Sequence, residues 1–148
     1  MDSPHPTALP ANTGIASDQP DTAMDLEVGP IGGRSLAEGE RMVIFVRTFD
    51  FLAWLLPMTN HFPRAQRLSV TQRLLDSALD LRERLEEANR RRGGARRERL
   101  DRADECLAKV RLYLRLAFHL KWMTRGQFFH AANFTTEIGR LLGGWRQA

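Results

Sequence analysis

The side chains best suited to chemistry in this sequence are six arginines that flank the pair Gly93-Gly94. They are Arg90, Arg91, Arg92, Arg96, Arg97 and Arg99, with Glu98 as the only acidic residue among them. A guanidinium group forms forked hydrogen bonds to phosphate, so this cluster is suited to a nucleic-acid backbone and would not read its sequence. The competing interpretation is a solvated turn whose charge serves solubility, and the sequence leaves both interpretations open.

A second basic group lies on the helix predicted after this turn. Arg111 and Arg115 project within about 40° of Arg97 and are followed by Phe118 and Trp122 on the same line. Basic side chains interleaved with aromatic ones can hold phosphate and stack on bases. Aromatic residues at helical spacing are more often core or interface residues, so Arg111 and Arg115 are the stronger nucleic-acid-binding candidates of this group.

Residues that would indicate catalysis or metal binding show no recognisable pattern. His61, His119 and His130 are scattered, and no Glu-x-x-His pair occurs that could build a di-iron bundle. Cys106 is the only cysteine, which excludes an internal disulfide and a thiolate cluster. No glycine-rich phosphate loop or serine-histidine-acid arrangement stands out. We therefore expect no enzyme activity, no catalytic residue, no metal and no cofactor.

The charge is divided unevenly between the two parts of the chain. Residues 1–40 hold one basic residue against seven acidic ones, a net charge of −6, and residues 41–148 hold 21 against 11, a net charge of +10. A body this basic attracts polyanions over long range and through counterion release. Nucleic acid is therefore the leading candidate partner.

The elements that must position these residues are predicted to be four helices. Residues 1–40 are rich in proline, glycine and acidic residues, which predicts a disordered tail, and residues 41–148 are predicted to form an all-α, antiparallel up-down-up-down four-helix bundle. Ser69 with Gln72 and Thr124 with Gln127 have the spacing of capping boxes. The helix before Gly93 is expected to end near Arg92. Candidate core residues recur at steps of three and four in three stretches: Leu74, Ala78, Leu81, Leu85 and Ala88; Leu100, Ala103, Leu107, Val110, Leu114 and Ala117; Phe128, Ala131, Thr135, Ile138, Leu142 and Trp145.

The first predicted helix, from Arg41 to about Pro57, is apolar around most of its circumference. Three other helices can cover about one face of it, so the remaining apolar surface predicts burial against another subunit. We expect a homo-oligomer, with these interface residues: Phe45, Phe49, Phe51, Trp54 and Leu55. Gly143 and Gly144 are expected to loosen the end of the last helix.

The sequence suggests a cytoplasmic protein that does not contact a membrane. No apolar run is judged to approach the ~20 residues that cross a bilayer. The first 25 residues have neither a basic start nor an uninterrupted apolar stretch, so they do not read as a secretory signal.

Three stretches resemble a known family. They are FDFLAWLLPMTNHFPRAQRLSVTQRL at 49–74, LRLAFHLKWMTRGQF at 114–128 and EIGRLLGGW at 137–145. Together they are similar to the accessory variability determinant of diversity-generating retroelements, a four-helix family related to proteins encoded by ribosomal-RNA intervening sequences.

This resemblance implies a basic homopentamer that binds the element's reverse transcriptase and its template RNA or cDNA. It would support mutagenic reverse transcription without carrying out the polymerisation. The acidic tail and the arginine-rich turn are not expected of a typical member. Two alternatives stay open, namely a protein-protein adaptor whose charge serves solubility and an intervening-sequence-type bundle of unknown activity.

Overall fold

A computed structural model describes residues 36–148, which form four α-helices. Helix α1 spans Leu36–Met58, α2 Gln72–Asn89, α3 Gly93–His119 and α4 Arg125–Gln147, and no strand occurs within this range. Helix α1 packs against α2 and α4, and α3 packs against α2 and α4, around one core. Consecutive helices run antiparallel, since Arg82 in the second half of α2 donates to Phe45 in the first half of α1, and Arg146 at the end of α4 donates to Asp101 early in α3. The predicted all-α four-helix bundle is confirmed. Of the predicted disordered tail, residues 1–35 lie outside the described residues, and residues 36–40 belong to α1.

The predicted core positions of α2 and α3 are confirmed without exception. On both helices an apolar residue returns every three or four positions, and each of these side chains is buried. The prediction for α4 also holds from Ala131 to Trp145, while Phe128 is only partly buried. Phe134 and Leu141 are further core residues on α4.

The turn between α2 and α3 is as short as the glycine pair predicts. Helix α2 ends at Asn89 and α3 begins at Gly93 itself. Gly93 has a φ of 60°, a left-handed conformation that glycine adopts without the steric penalty of a side chain. The two glycines therefore form the first residues of α3 instead of preceding it.

The longer connection between α1 and α2 contradicts one predicted helix cap. Its last part, Arg67–Thr71, is a π-helical turn that leads into α2 at Gln72. Ser69 Oγ donates to Gln66 within this turn and caps no helix. The predicted Ser69–Gln72 capping box is thus wrong. The second one is confirmed, since the Gln127 amide donates to Thr124 Oγ1 (3.1 Å) and the Thr124 amide donates to the Gln127 side chain (2.9 Å).

The end of α4 is also firmer than the sequence predicted. The helix continues through Gly143 and Gly144 to Gln147. Trp145 is buried after the two glycines, and Arg146 donates to Asp101 of α3 with an Nη2–Oδ1 distance of 2.8 Å. These two contacts fix the last turn, so the expected loosening does not occur.

Helix α1 carries an apolar stripe that the bundle leaves uncovered. Its core side includes Ile44, Phe51 and Leu55, which are almost fully buried. On the opposite side large apolar side chains face outward at steps of three and four. The main members are Met42, Val46 and Phe49, exposed by 59, 57 and 63%, and Leu56, exposed by 40%.

The same helix has the length and apolar composition of a membrane span, whereas the sequence was expected to contain no such run. Among the described residues, the stretch Glu38–His61 is long and apolar enough to cross a bilayer by length and composition alone. Core helices of packed bundles can have the same length and composition. Here the stretch packs on its neighbours, and Arg47 within it forms an ion pair with Glu137 of α4 (2.8 Å).

Candidate nucleic-acid interface

The arginine cluster lies at one end of the bundle, which we call the basic end. It comprises the end of α2, the start of α3 and the adjoining ends of α1 and α4. Three of the six predicted arginines, Arg90, Arg92 and Arg97, are exposed there. Within residues 36–148 none of the three has an ion-pair or hydrogen-bond partner for its side chain. Their guanidinium groups are thus available to an external anion.

The other three arginines hold the turn together. Arg91 and Arg96 donate to the carbonyl oxygens of Glu87 and Ala88, at 3.2 and 3.0 Å. These carbonyls belong to the last turn of α2, where they also accept from the backbone amides of Arg90 and Arg91. Arg99 forms an ion pair with the Glu87 carboxylate, at 3.2 Å. The predicted group therefore divides into three structural and three free guanidinium groups.

Glu87 is the main local counterweight to this positive charge. A hydrogen bond from Arg84 lowers the pKa of Glu87 below its ordinary value, and it outweighs the loss of hydration that acts in the opposite direction. The charges of Arg84 and Arg99 act in the same direction as the hydrogen bond. Glu87 therefore stays ionised and is committed to the turn, so it does not neutralise the free arginines.

Trp145 of α4 joins the basic end through contacts that sequence spacing did not reveal. The guanidinium carbons of Arg41 and Arg96 lie 5.5 and 5.8 Å from its ring centroid, in the range of cation-π contacts. Partial burial lowers the pKa of Arg96, and the charges of Arg41 and Arg92 lower it further. Arg41 and Trp145 were missed because they stand about 50 residues from the turn on either side, and no local signal links them to it.

A cleft of about 360 Å³ opens at the basic end. It lies between the first turn of α3 and the last turn of α4. Its lining includes Gly93, Gly94, Arg96, Arg97 and Trp145. Backbone amides, guanidinium groups and an indole thus border one concave surface.

The second predicted basic group is separate from the first, and its two arginines have different roles. Arg97 and Arg111 are 14 residues apart on α3, or about 21 Å at 1.5 Å per residue. Arg111 is half-buried and donates from Nη2 to the carbonyl oxygen of Thr135 on α4, at 2.9 Å. Arg115 is exposed and has no side-chain partner among the described residues. The guanidinium of Arg111 therefore links α3 to α4, whereas Arg115 has no such contact, and nucleic-acid binding by either residue stays a prediction.

The aromatic residues beside Arg115 pack within the protein. Phe118 stacks on Phe128 of α4, with ring centroids 4.4 Å apart and planes inclined by 13°. Trp122 lies against Phe62, with ring centroids 5.5 Å apart. They act as packing residues, as their helical spacing favoured.

The predicted oligomer interface needs a correction in its membership. Phe51 and Leu55 are buried in the core of this chain and are not accessible to a second subunit. Phe45 lies against Trp145, and Trp54 against His130 and Phe134, so both are partly covered by their own bundle. Of the five predicted residues, Phe49 alone is strongly exposed. The outward-facing set is therefore Met42, Val46, Phe49 and Leu56, which we call the α1 stripe.

Residues 36–148 contain no group of three or more His, Cys, Asp or Glu side chains placed to hold a metal ion. Cys106 on α3 is partly buried. Burial raises the pKa of its thiol, and the nearby Asp80 carboxylate adds to this effect. The thiol is therefore protonated at neutral pH and acts as a small packing group.

The fold and this site define a basic four-helix bundle with a cluster of uncompensated arginines at one end. A family model described as bAvd-like matches residues 42–148, so the chain belongs to the bAvd-like family. This confirms the resemblance found in the sequence.

A solved structure is also similar to the bundle. It is a protein of unknown function from the S23 ribosomal protein family of Bacteroides thetaiotaomicron, with 18% sequence identity and a TM-score of 0.68. The similarity covers 74% of this chain and 99% of that one. At this identity it supports the fold alone. No curated protein matches the chain.

Proposed function

We propose that this chain is a non-enzymatic accessory subunit of a diversity-generating retroelement, acting in the cytoplasm. It binds the element's reverse transcriptase and its template RNA or cDNA, and it supports mutagenic reverse transcription. Its nucleic-acid binding is supported above all by the exposed, unpaired guanidinium groups of Arg90, Arg92 and Arg97 at the basic end. Membership of the bAvd-like family supports the assignment to a retroelement.

The basic end favours the phosphate backbone as its ligand. The three free arginines reach outward from a turn that Arg91, Arg96 and Arg99 hold in place. A positioned guanidinium loses less conformational freedom on binding than one on a mobile loop. Its forked donors fit phosphate oxygens and contact no base edge, so the binding should be independent of sequence.

The salt dependence of RNA binding tests this surface. Arg90, Arg92 and Arg97 should be replaced together by Gln, which removes charge and leaves the supporting arginines in place. Each lost phosphate contact lowers the slope of log affinity against log salt by about 0.7 to 0.9, so the slope should fall by about 2 to 3. Fluorescence anisotropy of a labelled template RNA at several salt concentrations measures it.

The matched control changes three arginines at the opposite end of the bundle. Arg64, Arg67 and Arg73 are also exposed, and their side chains have no partner among the described residues. Replacing these three by Gln gives the same net charge with the basic end intact. Equal loss of affinity in the two triple variants would mean that overall charge, and not the basic end, binds the RNA.

The reverse transcriptase is tested separately from the RNA. The enzyme encoded beside this chain should co-purify with it after nuclease treatment. Loss of the complex on nuclease treatment would show that RNA alone bridges the two proteins, and the direct contact would be withdrawn.

A protein-protein adaptor is the second candidate function, and the α1 stripe favours it. Contiguous exposed apolar side chains mark interaction surfaces more often than scattered ones do. An adaptor of this kind would show negligible RNA affinity at physiological salt while still binding its protein partner. The anisotropy measurement above therefore also separates the two functions.

A further inference from the structure

We propose that the cleft at the first turn of α3 is a binding site for a phosphate group. The proposal deepens the proposed function and rests on it in one respect, because nucleic acid is one possible source of that phosphate. The site is distinct from the three free arginines as a group, since it uses backbone amides and the indole of Trp145.

The first observation is that the start of α3 has no cap of its own. The helix spans 27 residues, its N-cap Arg92 provides no side-chain acceptor, and its first turn contains no acidic residue. The leading amides of a helix have no acceptor within it, and the helix dipole adds partial positive charge at this end. Gly93 and Gly94 also lack side chains that would keep a ligand away, and the positions where a Cβ would stand are open. An anion could thus approach the backbone closely.

The second observation is independent of the helix end. Trp145 lines the same cleft and is only 7% exposed, yet its indole Nε1 donates to no acceptor within the described residues. Arg41, whose guanidinium carbon lies over the Trp145 ring, does not line the cleft, and its Nε is also buried without an acceptor. Buried donors are nearly always paired in folded proteins, so the unpaired indole donor of a residue that lines the cleft points to a missing acceptor there.

The charge around the cleft has the sign that an anion requires. Arg97 has no partner for its side chain, and Arg96 uses only Nε, which donates to Ala88. Arg146 also lines the cleft but is paired with Asp101 and Asp104, at 2.8 and 3.7 Å. Two guanidinium groups therefore remain for the ligand. Burial is the larger cause of the lowered pKa of Arg96, and the charges of Arg41 and Arg92 add to it; a bound anion would relieve this repulsion.

These features together favour phosphate over a smaller or singly charged anion. Amides, guanidinium groups and an indole approach the cleft from two helices, and a tetrahedral phosphate offers acceptor oxygens in several directions. The cleft of about 360 Å³ is open to solvent, which leaves room for the ester of a phosphorylated ligand.

The test is an NMR titration of the full-length, ¹⁵N-labelled protein with inorganic phosphate at constant ionic strength, with chloride as the replaced ion. The amide signals of Gly93 and Gly94 and the indole signal of Trp145 should shift together along one saturable curve. Helix α4 supplies an internal control, because Thr124 already caps its first turn. The amide signal of Gln127, which donates to Thr124 Oγ1, should stay in place.

A pair of variants at Gly94 isolates the role of charge. No atom lies within 4 Å of the position of a Cβ there, so a short side chain fits without a clash. Gly94→Asp places a carboxylate in the first turn, where it competes with phosphate, and Gly94→Asn has nearly the same shape without the charge. The Asp variant should bind phosphate about tenfold more weakly than the Asn variant. Equal affinities, or wild-type signals that shift no more with phosphate than with chloride, would overturn the proposal.

Addition of a short RNA to the phosphate-bound protein identifies the source of the group. Phosphate is kept substoichiometric to the protein in this experiment. If the three signals then move to new positions when RNA is added, an RNA phosphate occupies the cleft. Signals that keep their phosphate-bound positions while the RNA binds indicate a free phosphate or phosphorylated metabolite, and the site then stands apart from the nucleic-acid function. If RNA binds but no anion moves these signals, the cleft proposal fails and the proposed function stands. If phosphate moves these signals but no RNA binds, the cleft proposal stands and the nucleic-acid part of the proposed function fails.

Discussion

The guanidinium of Arg111 crosses from α3 to α4 at a point where only glycine leaves room for it. A Cβ built at Gly139 would lie 2.4 Å from Arg111 Nη2, well inside contact distance. The absence of a side chain at Gly139 thus permits the hydrogen bond from Arg111 to the Thr135 carbonyl. Arg111, which was predicted from the sequence as a nucleic-acid-binding residue, therefore links two helices.

Replacement of Gly139 by Ala tests this role. The added methyl group must displace the guanidinium and break its bond to Thr135, while the higher helix propensity of Ala offsets part of the loss. Gly143→Ala is the matched control, because nothing lies within 4 Å of its Cβ position on the same helix. We expect Gly139→Ala to be about 1 to 2 kcal/mol less stable than Gly143→Ala by urea unfolding. Equal stabilities would show that Arg111 contributes nothing through this bond.

Among individual residues, the sequence identified the arginine cluster but could not assign roles within it. Arg90 and Arg91 are adjacent and identical in type, yet one is free and the other donates to the Glu87 carbonyl. The difference depends on where each Cβ points relative to the end of α2, which spacing near a helix end does not define. Trp145 was predicted as a core residue of the last helix. Its contacts with Arg41 and Arg96 depend on the tertiary packing of four helices.

At the level of helices, the two predicted caps had the same spacing and opposite outcomes. Thr124 accepts from the Gln127 amide at the start of α4, whereas Ser69 lies inside a π-helical turn. Thr124→Ala should therefore destabilise the protein by about 1 kcal/mol, and Ser69→Ala should stay within about 0.5 kcal/mol of the wild type. Thermal and urea unfolding of both variants measures this difference. A larger loss from Ser69→Ala would mean that the π-turn needs its hydroxyl.

The helices that were predicted best are those with one clear apolar side. On α2 and α3 most outward-facing residues are charged or polar, so the apolar positions that recur at steps of three and four define the core side. Helix α1 is apolar around most of its circumference, and the pattern could not distinguish the side that faces its own bundle. Phe51 and Leu55 were consequently assigned to an interface although they lie in the core, and Met42, Val46 and Leu56 were missed. Their regular spacing with Phe49 was the signal that could have identified them.

For the whole molecule, the α1 stripe makes assembly with further copies the central expectation. Glu in place of Phe49 would put a charge into a contact that must exclude water, which a subunit interface tolerates poorly. We expect the wild type to run as a homo-oligomer, with five copies implied by the family resemblance, and Phe49→Glu to run close to the protomer mass of 16.9 kDa. Native mass spectrometry or light scattering distinguishes the two.

The control for this assembly experiment is an exposed apolar residue outside the stripe. Leu112 on α3 is 48% exposed, so Leu112→Glu introduces the same charge at a comparable exposure. It should leave the particle mass unchanged. A wild-type protein that runs at the protomer mass, or a Phe49→Glu variant that keeps the wild-type mass, would contradict the predicted oligomer.

Because the ends of four helices meet at the basic end, the position of an affinity tag matters for this protein. Ala148 lines the same cleft as Gly93 and Trp145, so an affinity tag fused after it would begin at the basic end. A histidine tag there could occupy or screen the surface that the binding assays are meant to measure. Recombinant material for those assays should have such a tag removed, or carry a label in the connection between α1 and α2, at the far end of the helices.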